Sequence, residues 1–146
     1  MKIHQLSLLL ENRTGQLGAP IAALAKAGIN IVTLCLADSQ QFGILRLIVQ
    51  DWQRAKEVLT KAGFVVNITE VLALDVADRP GGLAEIMTIC ETDKLSIEYM
   101  YAFTDGPATG KATLIFRFED PDLAIRTLEK HKVNVIDAVK LFGRGA

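Results

Sequence analysis

The chain has 146 residues, 50% of them apolar and 23% charged, the balance of a packed globular protein rather than a disordered one. Sixteen basic against seventeen acidic side chains leave a formal charge of −1, too weak a positive field to hold a phosphate backbone, so nucleic acid is not expected as a partner. The apolar runs are strand-sized, short of the roughly 20 residues that cross a bilayer, and the first residues alternate without a signal-peptide core, so the expectation is a cytoplasmic protein without membrane association.

In chain order, residues 3–11 alternate as a strand, with Leu6, Leu8 and Leu10 on one face. Turn formers follow at 12–16. Leu17, Ile21 and Leu24 recur at helical spacing up to Ala27-Gly28, where glycine closes the helix. Strands are expected at 29–37 and 42–49, then a helix capped by Asp51 and closed by Ala62-Gly63, then a strand at 64–69. The second half reads the same way: strand 71–77, helix 82–93, strands 95–103 and 111–118, helix 121–131 and strand 133–141. Its hairpin loop, 104–110, is expected to be the most mobile segment.

The halves are copies. Shifted by 66 residues, Leu6, Leu8, Arg13, Gly15, Leu17 and Ile31 fall on Leu72, Leu74, Arg79, Gly81, Leu83 and Ile97. Chance gives roughly two identities in such a window. At a shift of 69 the match resumes with Leu45/Leu114, Ala55/Ala124, Leu59/Leu128, Lys61/Lys130 and Val66/Val135. Two domains, 1–69 and 70–146, are expected, joined only by Thr69-Glu70. Each βαββαβ order implies an α+β, ferredoxin-like sandwich with strand order 4-1-3-2 and both helices on one face.

The other face carries Gln5, Ser7, Leu9, Ile44, Arg46, Ile48, Val71, Ala73, Asp75, Thr113, Ile115 and Arg117. None is aromatic, which argues against base stacking on RNA. Leu9, Ile44, Ile48 and Ile115 are apolar enough that this face is expected to pack on another sheet, within the chain or in a homodimer. Cys35, Cys90, His4 and His131 have no metal-ligand spacing and form no Ser/His/Asp or Cys/His set, so no metal, cofactor or catalytic residue is expected. Both cysteines lie among apolar neighbours, where a buried, inert thiol is usual.

The strand-to-helix junction carries the functional signal. It reads Asn12-Arg13-Thr14-Gly15-Gln16-Leu17 in one copy and Asp78-Arg79-Pro80-Gly81-Gly82-Leu83 in the other. A helix start presents unbonded N–H groups to a carboxylate. Glycine there permits close approach or positive φ, and Asn12 or Asp78 can meet an ammonium. Carboxylate and ammonium together describe a free amino acid. The arginines and glycines also have a plainer reading, as surface charges and turn formers.

With Leu95-Ser96-Ile97-Glu98 after the second helix and Ala27-Gly28-Ile29-Asn30-Ile31 after the first, both halves resemble the ACT domain, a small regulatory module that binds amino acids. The resemblance implies ligand sites between paired domains, the junction of one facing the second strand of its neighbour, with no catalytic domain. It maps onto Asn12–Leu17 and Asp78–Leu83, with Asn30–Val32 (above all Asn30 and Ile31) and Ser96–Met100 (Ser96, Ile97, Glu98 and Met100) as facing strands. Thr14 stands where the family has proline, Pro20 falls inside the first helix, and Ser96 replaces the asparagine at 30, so the two junctions are not equivalent. An amino-acid sensor acting through domain pairing, as a homodimer, is therefore expected. The alternative is a regulatory subunit resembling the small subunit of acetolactate synthase, with a catalytic enzyme as partner. Leu34, Cys35, Met100 and Tyr101 lean toward a branched, aromatic or imidazole ligand.

Overall fold

A computed structural model describes residues 1–38, 40–104 and 109–143. The elements are β1 (Ile3–Glu11), α1 (Gly18–Lys26), β2 (Ile31–Asp38), β3 (Phe42–Val49), α2 (Trp52–Lys61), β4 (Val66–Ala77), α3 (Gly82–Thr92), β5 (Ile97–Thr104), β6 (Lys111–Phe118), α4 (Pro121–Lys130), β7 (Val135–Ile136) and α5 (Ala138–Gly143). The chain divides into two compact units, one of His4–Thr69 and one of Glu70–Ala146 with Met1–Ile3. Lys2 explains where the first three residues belong. Its ammonium sits 3.0 Å from Glu70 and 3.2 Å from Asp122, and these two carboxylates hold its pKa above the usual lysine value.

In the first unit β3 pairs antiparallel with β1 on one side and β2 on the other. In the second, β6 lies between β5 and β4, and β7 pairs with the far edge of β4, the full 4-1-3-2 order. The alternation of each strand decides which face the helices cover. Leu6, Leu8, Leu10, Leu45, Leu47 and Val49 are buried with Leu24, Ala55 and Leu59 from α1 and α2. Leu72, Leu74, Val76, Leu114, Phe116 and Phe118 are buried with Ile86, Cys90, Ala124 and Leu128 from α3 and α4. Most positions shared by the two copies are thus core positions, kept because each fills the same space between sheet and helices. On the other face Gln5, Ile48, Val71, Ala73, Thr113 and Ile115 are also buried, whereas Leu9 is 66% exposed.

Helix ends follow local chemistry. Asp51 accepts the Arg54 N–H and Asp120 the Leu123 N–H, both at 3.1 Å, each capping a helix start. Pro20 is the third residue of α1, where no intrahelical donor is required, so it does not break the helix. All four long helices end in the same turn, in which Ile29, Phe64, Leu95 and Val133 donate back to Leu24, Leu59, Cys90 and Leu128. That turn needs a left-handed residue. The first unit uses Gly28 (φ 70°) and Gly63 (φ 96°), while the second holds Lys94 (φ 55°) and Lys132 (φ 60°) there.

Two expectations need correction. The last strand, expected over 133–141, is only Val135–Ile136, followed by α5. Asp137 turns the chain, accepting the Lys140 N–H at its side chain (2.8 Å) and the Leu141 N–H at its carbonyl (3.0 Å), and Leu141 is buried. Thr69 and Glu70, expected as a linker, lie inside the single strand β4. Of the 104–110 loop expected to be mobile, residues 105–108 lie outside the described residues.

A lysine in left-handed geometry costs about 1 kcal/mol more than glycine, so Lys132→Gly and Lys94→Gly should each raise the unfolding temperature by a few degrees, read by calorimetry. A Cβ on Gly82 falls 2.0 Å from the Ala77 carbonyl oxygen, so Gly82→Ala should cost about 3 kcal/mol in denaturant unfolding. Burial pushes the Cys90 thiol pKa up, as expected of a buried thiol, whereas Cys35, expected to be buried too, is only half-buried because it lies on the edge strand β2. Iodoacetamide should label Cys35 in the folded protein and Cys90 only on unfolding. Since the neutral thiol is favoured by folding, the Cys90 contribution is present below the unfolded thiol pKa and lost as pH rises through the folded one.

Candidate functional site

Each junction is built by backbone geometry. Gly15 has φ 91° and Gly81 φ 90°, the left-handed values that let the chain turn from strand into helix. A Cβ on Gly15 would meet nothing within 4 Å, and one on Gly81 only the Arg79 Nη1 at 3.7 Å, so within the protein the requirement at both positions is the left-handed φ. Gly82 serves close approach. Its amide donates to the Arg79 carbonyl at 3.0 Å, and its missing side chain lets α3 begin against the end of β4. The aligned residue in the first copy is Gln16, which has a side chain, and there α1 starts two residues later, at Gly18.

The charges of the junctions are partly self-paired. Arg13 holds Glu11 at 2.9 Å, and Arg79 reaches forward to Glu85 at 2.8 Å, both as exposed surface pairs. The Asn12 amide donates to the Asp38 carboxylate (3.2 Å) and the Gln40 carbonyl (3.1 Å), tying the junction to the β2–β3 turn. Asp78 donates its backbone N–H to Gly110, but its carboxylate has no cation partner among the described residues. Thr14 and Pro80 are exposed, as are Leu17 (38%) and Leu83 (36%).

The facing-strand residues lie elsewhere. In each unit the first two strands run parallel, both antiparallel to the strand between them, so the junction is at one end of the sheet and the start of the second strand at the other. Asn30 is exposed just before β2, and Ile31 packs on the first core. Ser96 accepts the Glu119 N–H at 3.0 Å, Ile97 packs on the second core, Glu98 pairs with Arg117 at 3.2 Å, and Met100 is 40% exposed. Neither unit brings its own junction and second-strand start together.

The structure also shows a feature the sequence did not announce, a cleft of about 460 Å³ within the second unit. Beyond Asp75, whose N–H meets the Asn134 carbonyl at 3.1 Å, β4 and the chain leaving α4 diverge, and α3 forms the other wall. Val76, Ile86, Ile89 and Val133 line it, with Asp75, Glu85, Lys111, His131, Lys132 and Asn134 as its polar groups. Of the candidate residues only Gly82 reaches it. The one sequence signal was lysine at 132 in place of a helix-ending glycine. His131 pairs with Asp93 at 2.7 Å. Among the described residues no three His, Cys, Asp or Glu side chains are grouped as metal ligands, and no helix is long and apolar enough to cross a membrane.

The family model described as an ACT domain pair matches residues 1–143. A solved protein from Bacteroides thetaiotaomicron is similar at 37% identity with a TM-score of 0.90, covering 97% of this chain and 96% of that one. The ligand-free regulatory subunit of aspartate kinase from Thermus thermophilus shares the fold at 16% identity, TM-score 0.62, with 87% and 91% covered. Its counterpart from Thermus flavus does so at 16% identity and TM-score 0.58, with 89% and 93% covered. With its two ferredoxin-like units, the chain belongs to the ACT domain pairs.

Proposed function

We propose that this protein is a non-catalytic regulatory module that binds a free amino acid at its strand-to-helix junctions, each completed by the second strand of another ACT domain. One observation carries the reading. Most identities between the copies are buried and follow from packing; of the exposed ones, Lys61/Lys130 stands alone, whereas Arg13/Arg79, Gly15/Gly81 and Leu17/Leu83 fall together at the junction. A core cannot require an exposed leucine at the same point of both copies, whereas a shared contact surface can. The left-handed glycine sets the approach angle of the helix start, whose amides suit a carboxylate. The Asp78 carboxylate is open to an ammonium, and Leu83 to an aliphatic side chain. Asp78 offers the ammonium a charged acceptor, where Asn12, held through its NH2 group to Asp38 and Gln40, offers only a neutral Oδ1, so the second junction is the stronger binder. Within each unit the second strand starts at the far end of the sheet, which supports a site shared between domains.

Binding that joins two domains stabilises the paired state by RT ln(1 + [L]/Kd), and a catalytic partner sensitive to that pairing reads the amino-acid level. A homodimer supplies further junction–strand pairings. The fold shared with regulatory subunits of aspartate kinase supports the variant in which this chain serves a separate catalytic enzyme.

Isothermal titration of the full chain against the twenty amino acids should give saturable heat with at least one. Asp78→Ala should weaken that binding about tenfold, the loss of one charge-assisted contact, with unfolding unchanged because the carboxylate is exposed. No heat from any amino acid, or unaltered affinity in Asp78→Ala and Leu83→Ala, removes the reading.

A further inference from the structure

We propose that the cleft of the second unit is a separate binding site for a small aliphatic carboxylate, held by Lys132 and Lys111 over a floor of Val76, Ile86, Ile89 and Val133. Its volume, about 460 Å³, lies within the range of small-molecule sites. Charge decides the ligand class. The acids at the rim are already engaged: Asp75 accepts the Asn134 amide at 2.9 Å and Glu85 pairs with Arg79 at 2.8 Å. The ammonium groups of Lys111 and Lys132 have no carboxylate or hydrogen-bond partner among the described residues; with Glu85 offset by Arg79 and Asp75 keeping its charge beside the neutral Asn134 amide, the described rim carries one positive charge in excess.

A single carboxylate complements that surplus. A phosphate dianion does not, because it would bring two charges toward the carboxylates of Asp75 and Glu85. The apolar floor favours a branched aliphatic tail, which would leave water on entering. Lys132 occupies the left-handed helix-ending position that Gly63 fills in the first unit (φ 60° against 96°), a place where glycine sits with less strain. Lys94 holds the same geometry at the end of α3, so the strain alone marks no site; Lys132 differs in lining the cleft. The first unit has glycine at that position, so the site belongs to the second unit. This inference stands independently of the junction reading, since the lysines belong to other segments of the chain.

The test is titration of the isotope-labelled full chain with isovalerate, leucine and α-ketoisocaproate, with isoamyl alcohol as the uncharged control, followed by amide resonances. Saturable shifts of Lys132, Val133 and Asn134 with a carboxylate, and none with the alcohol, are expected. Lys132→Gly should weaken binding about tenfold while raising the unfolding temperature, and Lys132→Arg should retain it. Tighter binding of leucine than of isovalerate assigns the site to amino acids, and tighter binding of α-ketoisocaproate to the corresponding oxo acids. Either order supports the proposal. Absence of saturable shifts with all three carboxylates overturns it, as does equal binding of the alcohol or unchanged affinity in both Lys132→Gly and Lys111→Gln. Shifts confined to residues 12–17 and 78–83 also overturn it while leaving the junction site standing.

Discussion

A helix can begin directly against the end of a strand only if its first residue leaves room for the strand's last carbonyl. In the second unit that residue is Gly82, and any side chain there would collide with Ala77. The absence of a Cβ therefore sets where α3 starts, how close it lies to β4, and which of its residues form the wall of the neighbouring cleft. Gly81, one position earlier, supplies the left-handed turn that aims the helix. Two adjacent glycines thus do different things: one sets direction and the other distance. The first unit has the directing glycine, Gly15, but Gln16 in place of the other, and its helix begins later.

This small difference belongs to a wider asymmetry between two copies of one fold. Their cores are nearly interchangeable, with Leu6, Leu8, Ala55 and Leu59 matching Leu72, Leu74, Ala124 and Leu128 in place and burial. Their surfaces are not. The first unit ends its long helices on glycines and the second on lysines. The Asn12 side chain braces a turn, whereas the Asp78 carboxylate stays open. After duplication the packing requirement holds core positions fixed, and exposed ones are free to take up separate roles. On the proposed function, a chain with one braced junction and one open junction would respond to ligands unequally, which a symmetric pair could not do.

Such a response needs no large internal motion. The cores are closely packed, so a ligand has little to gain by deforming either unit. On the proposed function, what a ligand would shift is the pairing of domains, because the affinity of a ligand shared between two domains adds to the stability of the paired state alone. All four long helices close at their C-terminal ends through local hydrogen bonds, and α2 and α4 are also capped at their starts, whereas α1 and α3 begin without a capping side chain.

The sequence alone determined the two-copy plan, the strand order and nearly every core residue, because strand alternation and helical spacing are local patterns that burial then has to satisfy. It also located both junctions, since Arg-x-Gly-x-Leu recurs at one offset. Three things required tertiary structure. The final strand is cut to Val135–Ile136 because Asp137 turns the chain into α5 and Leu141 has a buried place to fill, a competition that residues 133–141 do not reveal on their own. The division of labour between Gly81 and Gly82 depends on a carbonyl in the preceding strand. The cleft gathers Asp75, Glu85, Lys111 and Lys132 from four separate segments. Local pattern fixes which face of an element is buried, but distances between elements arise only once all of them have packed, and that is where clefts are made.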